Sequence, residues 1–187
     1  VPERLDFIIC SVNRTIAMSR YLLLLRHAKS AWDTEATADF DRPLANRGER
    51  DAPNMGKWLK NQGLVPDTVV SSPALRARQT SEAACRKMGI KPKEISWDNR
   101  VYAATVSELL GVLKDYSKKP KTLMLVGHNP GLEDLLVYLV GGGIHIPPDG
   151  KLLPTASLAH LEMPDNWKDL AVGAAKLMST TRAKDIL

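Results

Sequence analysis

The chain is poor in the residues on which several functions depend. Of its 187 residues only ten are aromatic, four Trp, four Tyr and two Phe, and no basic run interleaves with them. A platform for stacking bases has little to be built from, so nucleic acid is not an expected partner. Cysteine is nearly absent too: Cys10 and Cys85 occur without a CxxC pattern or a second pair. That leaves no disulfide framework and no zinc motif, and it suits a reducing cytoplasm. No apolar run approaches the roughly 18 residues that suggest a membrane span. Residues 7–10 are too few for the core of a signal peptide. The expectation is therefore a cytoplasmic protein with no membrane partner.

What is present fits one globular domain, since domains commonly run to about 100 to 200 residues. There are 26 basic against 21 acidic residues, a net charge of +5. An anionic ligand would be welcome on such a surface, although the imbalance is mild. Residues 1–17 lack the periodicity of the rest, and Met18 opens directly into a strand-like run. We expect residues 18–187 to form a single domain and residues 1–17 to be an upstream extension foreign to it.

Residues 21–25, Tyr-Leu-Leu-Leu-Leu, form an apolar run that stops at Arg26, which is how a strand covered on both faces reads. Residues 68–70 lead into Ser71-Ser72-Pro73, and residues 122–126 lead into Gly127-His128. Two more buried strands thus end in polar or turn-forming clusters. Residues 94–97 and 156–163 are weaker strand signals. Between them Met55, Trp58 and Leu59, then Leu109, Leu110 and Leu113, then Leu132, Leu135, Leu136 and Leu139 recur with helical period. Ser72 followed by Pro73 predicts an N-cap and first turn for a helix running to Gly89. Pro53 sits awkwardly in its segment unless it lies in a first helical turn. Strands alternating with helices predict an α/β fold, a three-layer α/β/α sandwich with a mostly parallel central sheet. Such sheets place ligands at the carboxyl ends of their strands.

Those ends carry Arg26 and His27, the turn leading to Arg76, and His128. Two guanidiniums and two imidazoles, with no carboxylate pair and no Cys nucleophile, suit a phosphoryl group. A guanidinium stays charged and presents a planar fork of donors to phosphate oxygens. Imidazole, with an ordinary pKa near 6.5, is a nitrogen nucleophile at neutrality. Phosphoryl transfer asks chiefly for positioning and for charge aimed at the equatorial oxygens. We expect one ring to attack while neutral and the other to remain cationic against the oxyanion. His145 and His160 lack partners and read as structural or solvated. Cys85 reads as a small buried apolar residue. The three glycines 141–143 lack the helix signature of a dinucleotide loop. No metal and no cofactor is called for.

These motifs resemble the histidine phosphatase superfamily, and within it the SixA-like phosphohistidine phosphatases. The resemblance rests on Leu25-Arg26-His27-Ala28-Lys29-Ser30, on Asp41-Arg42-Pro43-Leu44 with Arg47-Gly48, on Ser71-Ser72-Pro73-Ala74-Leu75-Arg76, and on Val126-Gly127-His128-Asn129-Pro130. It implies that His27 is the nucleophile, with Arg26, Arg76 and His128 completing the phosphate pocket and Arg42 at its mouth. Ala28 stands where the family hallmark has Gly. In the phosphoglycerate mutase branch Asn is usual where this chain has Asp33, and Glu where it has Lys29. No Glu occurs near Ala103, where that branch carries its general acid. An ester needs its leaving oxygen protonated, so a phosphoramidate or anhydride becomes the better expectation. Asp33 reads equally as a proton donor or as a cap for loop amides. The expected substrate is phosphohistidine in a protein. The rivals are a small phosphorylated molecule cleaved by a phosphomonoesterase, and a phospho-ligand binding module without turnover.

Overall fold

The leucine run sets the layering. In the computed structural model, which describes residues 19–33, 35–116 and 120–186, it forms β1, Arg20–Arg26. Successive side chains of a strand leave on opposite faces. Leu22 and Leu24 enter one apolar core, Leu23 and Leu25 the other, and all four are fully buried. A strand with leucine on both faces needs a layer of helices on each. The chain supplies α1, Asn46–Asn61, and α2, Leu75–Met88, over the Leu23 face. It supplies α3, Val106–Tyr116, and α4, Gly131–Val140, over the Leu22 face.

The sheet is completed by β2, Thr68–Ser71, β3, Ile95–Trp97, β4, Thr122–Gly127, β5, Ser157–Met163, and β6, Lys176–Arg182. Its order is β3-β2-β4-β1-β5-β6. The first four are parallel neighbours, whereas β5 runs antiparallel to β1 and β6 antiparallel to β5. The expected sandwich is thus present, with a mixed sheet whose antiparallel pair forms one edge. β6 was not expected, for a physical reason. Its side chains are mostly exposed or half-exposed, so it carries no alternating apolar signal, and only pairing with β5 makes it a strand.

Two helix expectations also shift. Pro53 lies well inside α1 rather than in its first turn. The missing N–H costs one helical bond, yet Met55 and Leu59, both fully buried in the core, hold the helix in place across it. α1 also lies very close to α2: a Cβ built on Gly56 would sit 2.2 Å from the Ala84 carbonyl oxygen. α2 begins at Leu75 with Ala74 as a cap that makes no side-chain bond, two residues later than Ser72-Pro73 suggests. It ends where expected, at Gly89 in the left-handed conformation with φ 88°. The expectation for residues 1–17 lies outside the described residues.

Candidate active site

Three parallel strands end at one edge, and the register aligns their last residues. Arg26 of β1 stands opposite Gly127 of β4, and the His27 amide donates to the Gly127 carbonyl at 3.0 Å. On the other flank the Ser72 amide donates to the Val126 carbonyl at 3.0 Å. His27, His128 and Ser72 are therefore side by side just beyond the sheet, and α2 brings Arg76 to them in its first turn. His27, His128 and Arg76 are all buried, each less than 9% exposed.

His27 Nδ1 lies 2.8 Å from the Ala28 carbonyl oxygen. A carbonyl only accepts, so Nδ1 carries the proton and Nε2 keeps its lone pair. The Ala28 amide in turn donates to Thr80 Oγ1 at 3.0 Å, and that hydroxyl donates to the Arg76 carbonyl at 2.6 Å. The same threonine therefore ties the His27 loop to the Arg76 helix turn. The His128 ring sits 5.0 Å from the His27 ring between centroids, tilted by 50°. Its Nε2 is 2.8 Å from Ser72 Oγ. When Ser72 donates in that bond, the His128 proton resides on Nδ1, a buried nitrogen without a partner among the described residues. Ser72 also accepts from the Ala74 amide at 3.3 Å, so its hydroxyl orients a histidine rather than capping α2.

Burial is the largest influence on both rings. It pulls His27 down to about 4, against the Ala28 hydrogen bond and with help from Arg76, Arg26 and Arg42. Burial, then His27 and Arg76, pull His128 down to about 3. In the protein alone both rings are neutral at pH 7, whereas the cationic second ring was expected against a bound oxyanion. Two buried imidazoles this close, next to guanidiniums, hold no further positive charge on their own. A phosphoryl dianion among them would supply charge of the opposite sign.

Arg26 donates from one terminal nitrogen to the Leu153 carbonyl at 2.8 Å, and its Nε is buried without a partner among the described residues. Asn129 donates to the same carbonyl at 2.9 Å, and the Leu153 amide donates to Glu133 at 2.7 Å, which fixes this turn against α4. Arg76 is engaged by a residue outside the expected set. Its two terminal nitrogens donate to the backbone oxygen and, at 2.8 Å, to the carboxylate Oδ2 of Asp39. Tyr102 donates to that Oδ2 at 3.0 Å, and Arg42 donates to Oδ1 at 2.8 Å. Partial burial works to raise the Asp39 pKa, but these hydrogen bonds outweigh it and hold it down at about 2.

Arg42, expected at the mouth of the site, is clamped by the Ala31 carbonyl, Ser30 Oγ and Asp39, with its guanidinium 3.6 Å from the centre of the Trp32 ring. Asp33 does not join it. It lies on an exposed bend and makes no hydrogen bond or ion pair among the described residues, so neither the proton-donor nor the capping reading finds support. Tyr102 packs edge-on against His128 at 5.4 Å and against Phe40 at 5.0 Å, closing one wall. Asp39, Tyr102 and Ser72 are the residues that sequence reasoning misses. Asp39 stands three residues before Arg42, which is a local signal. Nothing in the sequence says that it also meets Arg76 and Tyr102.

The sequence pattern of the histidine phosphatase superfamily (branch 1) matches residues 22–100. An uncharacterized protein of Mycobacterium tuberculosis is 33% identical over 158 residues, spanning 82% of this chain and 96% of that one. The chain belongs to the histidine phosphatase superfamily. An uncharacterized chloroplastic protein of Arabidopsis thaliana is also 33% identical, over 144 residues that span 73% of this chain and 66% of that protein. Among solved structures, a candidate phosphohistidine phosphatase SixA from Agrobacterium tumefaciens superposes with a TM-score of 0.73 at 29% identity, covering 87% of this chain and 97% of that one. The protein histidine phosphatase SixA in complex with tungstate shares the fold, with a TM-score of 0.75 at 21% identity over 89% of this chain and 99% of that one. This histidine phosphatase is thus a SixA-like hydrolase. Its one departure in the Arg-His-Gly hallmark is accommodated sterically. Ala28 is fully buried in a cluster of small side chains with Ala52, Ala156 and Ala183, where a methyl group fits.

Proposed function

We propose that the chain removes the phosphoryl group from phosphohistidine in a protein, carrying it transiently on Nε2 of His27. The observation that carries this reading is the bond from His27 Nδ1–H to the Ala28 carbonyl, which directs the Nε2 lone pair outward on a ring that burial keeps neutral. Nε2 attacks phosphorus while the bond from phosphorus to the substrate nitrogen breaks, and its electron pair leaves with the substrate imidazole. Arg26, Arg76 and His128 Nδ1–H receive the equatorial oxygens. Water then adds to phosphorus as the bond to Nε2 breaks, and one water proton is lost to solvent. During both steps the Ala28 carbonyl holds the Nδ1 proton, so His27 departs as a neutral ring.

The substrate class follows from the acid that is missing. Among the described residues, Asp39 is the carboxylate bonded to Arg76, and it is ionised far below neutrality. It has no proton for an alkoxide, whereas an imidazole leaves without one on the departing atom. The partner in this reading is a phosphorylated protein in a reducing compartment such as the cytoplasm.

Brief exposure to a labelled phosphohistidine peptide, followed by quenching, should leave acid-labile label on His27, and His27→Ala should abolish both label and turnover. A wild-type preference for simple phosphate esters over that peptide would replace this reading with a small-molecule phosphomonoesterase. Binding without turnover of either would make the chain a binding module.

A further inference from the structure

Asp39 is a carboxylate inside a phosphate site, an arrangement that calls for a reason. It places negative charge beside the guanidiniums that are to meet a phosphoryl dianion. An ionised carboxylate offers about four acceptor positions. Arg76 and Tyr102 take two at Oδ2, and Arg42 takes one at Oδ1. One position at Oδ1 remains, and the side chain is 52% exposed, so that position is open to a group arriving from solvent.

We propose that Asp39 is the specificity-determining residue for the leaving group, accepting a hydrogen bond from the N–H of a nitrogen leaving group and so selecting phosphoramidates over esters. This rests on the phosphoramidate reading above. In phosphohistidine one ring nitrogen bears phosphorus and the other can bear a proton. With the distal nitrogen protonated, rupture of the N–P bond delivers its electron pair to the proximal nitrogen and releases a neutral imidazole. The carboxylate stabilises that distal N–H, and no proton has to be supplied at the departing atom. For an ester the same carboxylate acts in the opposite sense, because charge accumulates on a leaving oxygen beside an existing anion. The two arginines and the Tyr102 hydroxyl fix the carboxylate in place, which is the preorganisation such selection requires.

The test compares wild type with Asp39→Asn on a phosphohistidine peptide, a phosphoarginine peptide and p-nitrophenyl phosphate. The ratio of kcat/KM for phosphohistidine over the aryl ester should fall by about 20-fold or more, the expected loss of a charge-assisted hydrogen bond. The aryl ester KM and the inhibition constant of inorganic phosphate should both decrease, since Arg76 and Arg42 are relieved of an internal anion. An unchanged ratio, or weaker phosphate inhibition alongside a parallel loss on all substrates, would reduce Asp39 to a scaffold for Arg76 and overturn the proposal. Should wild type favour phosphoarginine, with that preference collapsing in Asp39→Asn, the leaving-group role stands and the phosphohistidine assignment falls. A wild type that prefers the ester sinks both.

Discussion

The His128 ring sits 5.0 Å from the His27 ring, and both are buried in a site that also holds Arg76. Protonating either ring adds positive charge to a buried space that already holds the Arg26 and Arg76 guanidiniums. The pocket is therefore tuned to keep both rings neutral at pH 7.

That tuning predicts the pH dependence. His27 must be neutral to attack, and its pKa lies at about 4. The acidic limb of kcat/KM, which reports the free enzyme, should fall near pH 4 rather than near 6.5. Stability follows the same sign. Both histidines have lower pKa values folded than unfolded, so their contribution is complete above about pH 6.5. It is lost as pH falls toward about 4 for His27 and about 3 for His128. Urea unfolding at pH 7 and pH 5 should show a steeper loss in wild type than in a His27→Ala, His128→Ala double variant. A kinetic limb near 6.5, or equal losses in the two proteins, would contradict the pairing.

Arg76 is held by Asp39 and by the turn that Thr80 ties to His27. Arg76→Ala should cost about 3 kcal/mol of transition-state stabilisation, roughly a hundredfold in kcat, as removal of one oxyanion donor does. Arg76→Lys should recover little, because an ammonium cannot reproduce the fork. Steady-state kinetics decide the matter, and near-normal kcat in Arg76→Ala would remove it from the pocket.

Gly56 predicts a purely structural effect. Its missing Cβ leaves room for the Ala84 carbonyl, which a methyl group would meet at 2.2 Å. Both partners are backbone within packed helices, so neither side can yield cheaply. Gly56→Ala should destabilise by about 1 to 3 kcal/mol despite alanine's better helix propensity. Each kcal/mol lowers Tm by about 2 to 4 °C in a chain of this size. An unchanged or raised Tm would mean that α1 and α2 are not locked together there.

The sequence by itself determined the layered α/β fold and the set of polar strand ends. A strand buried on both faces is written as consecutive apolar residues, and its abrupt end in Arg26-His27 is visible without coordinates. The same holds for Gly127-His128, since short-range patterns of burial and turn formation survive in one dimension. Tertiary structure alone decided the edge strand β6, the true start of α2, the neutrality of His128 and the place of Asp39. Each of these depends on what residues distant in the chain do to one another. β6 has no apolar alternation and exists through pairing with β5. Ser72 gives its hydroxyl to a histidine 56 residues away instead of to a helix end. The charge state of an imidazole and the partners of a carboxylate are set by burial and proximity, which a sequence does not contain.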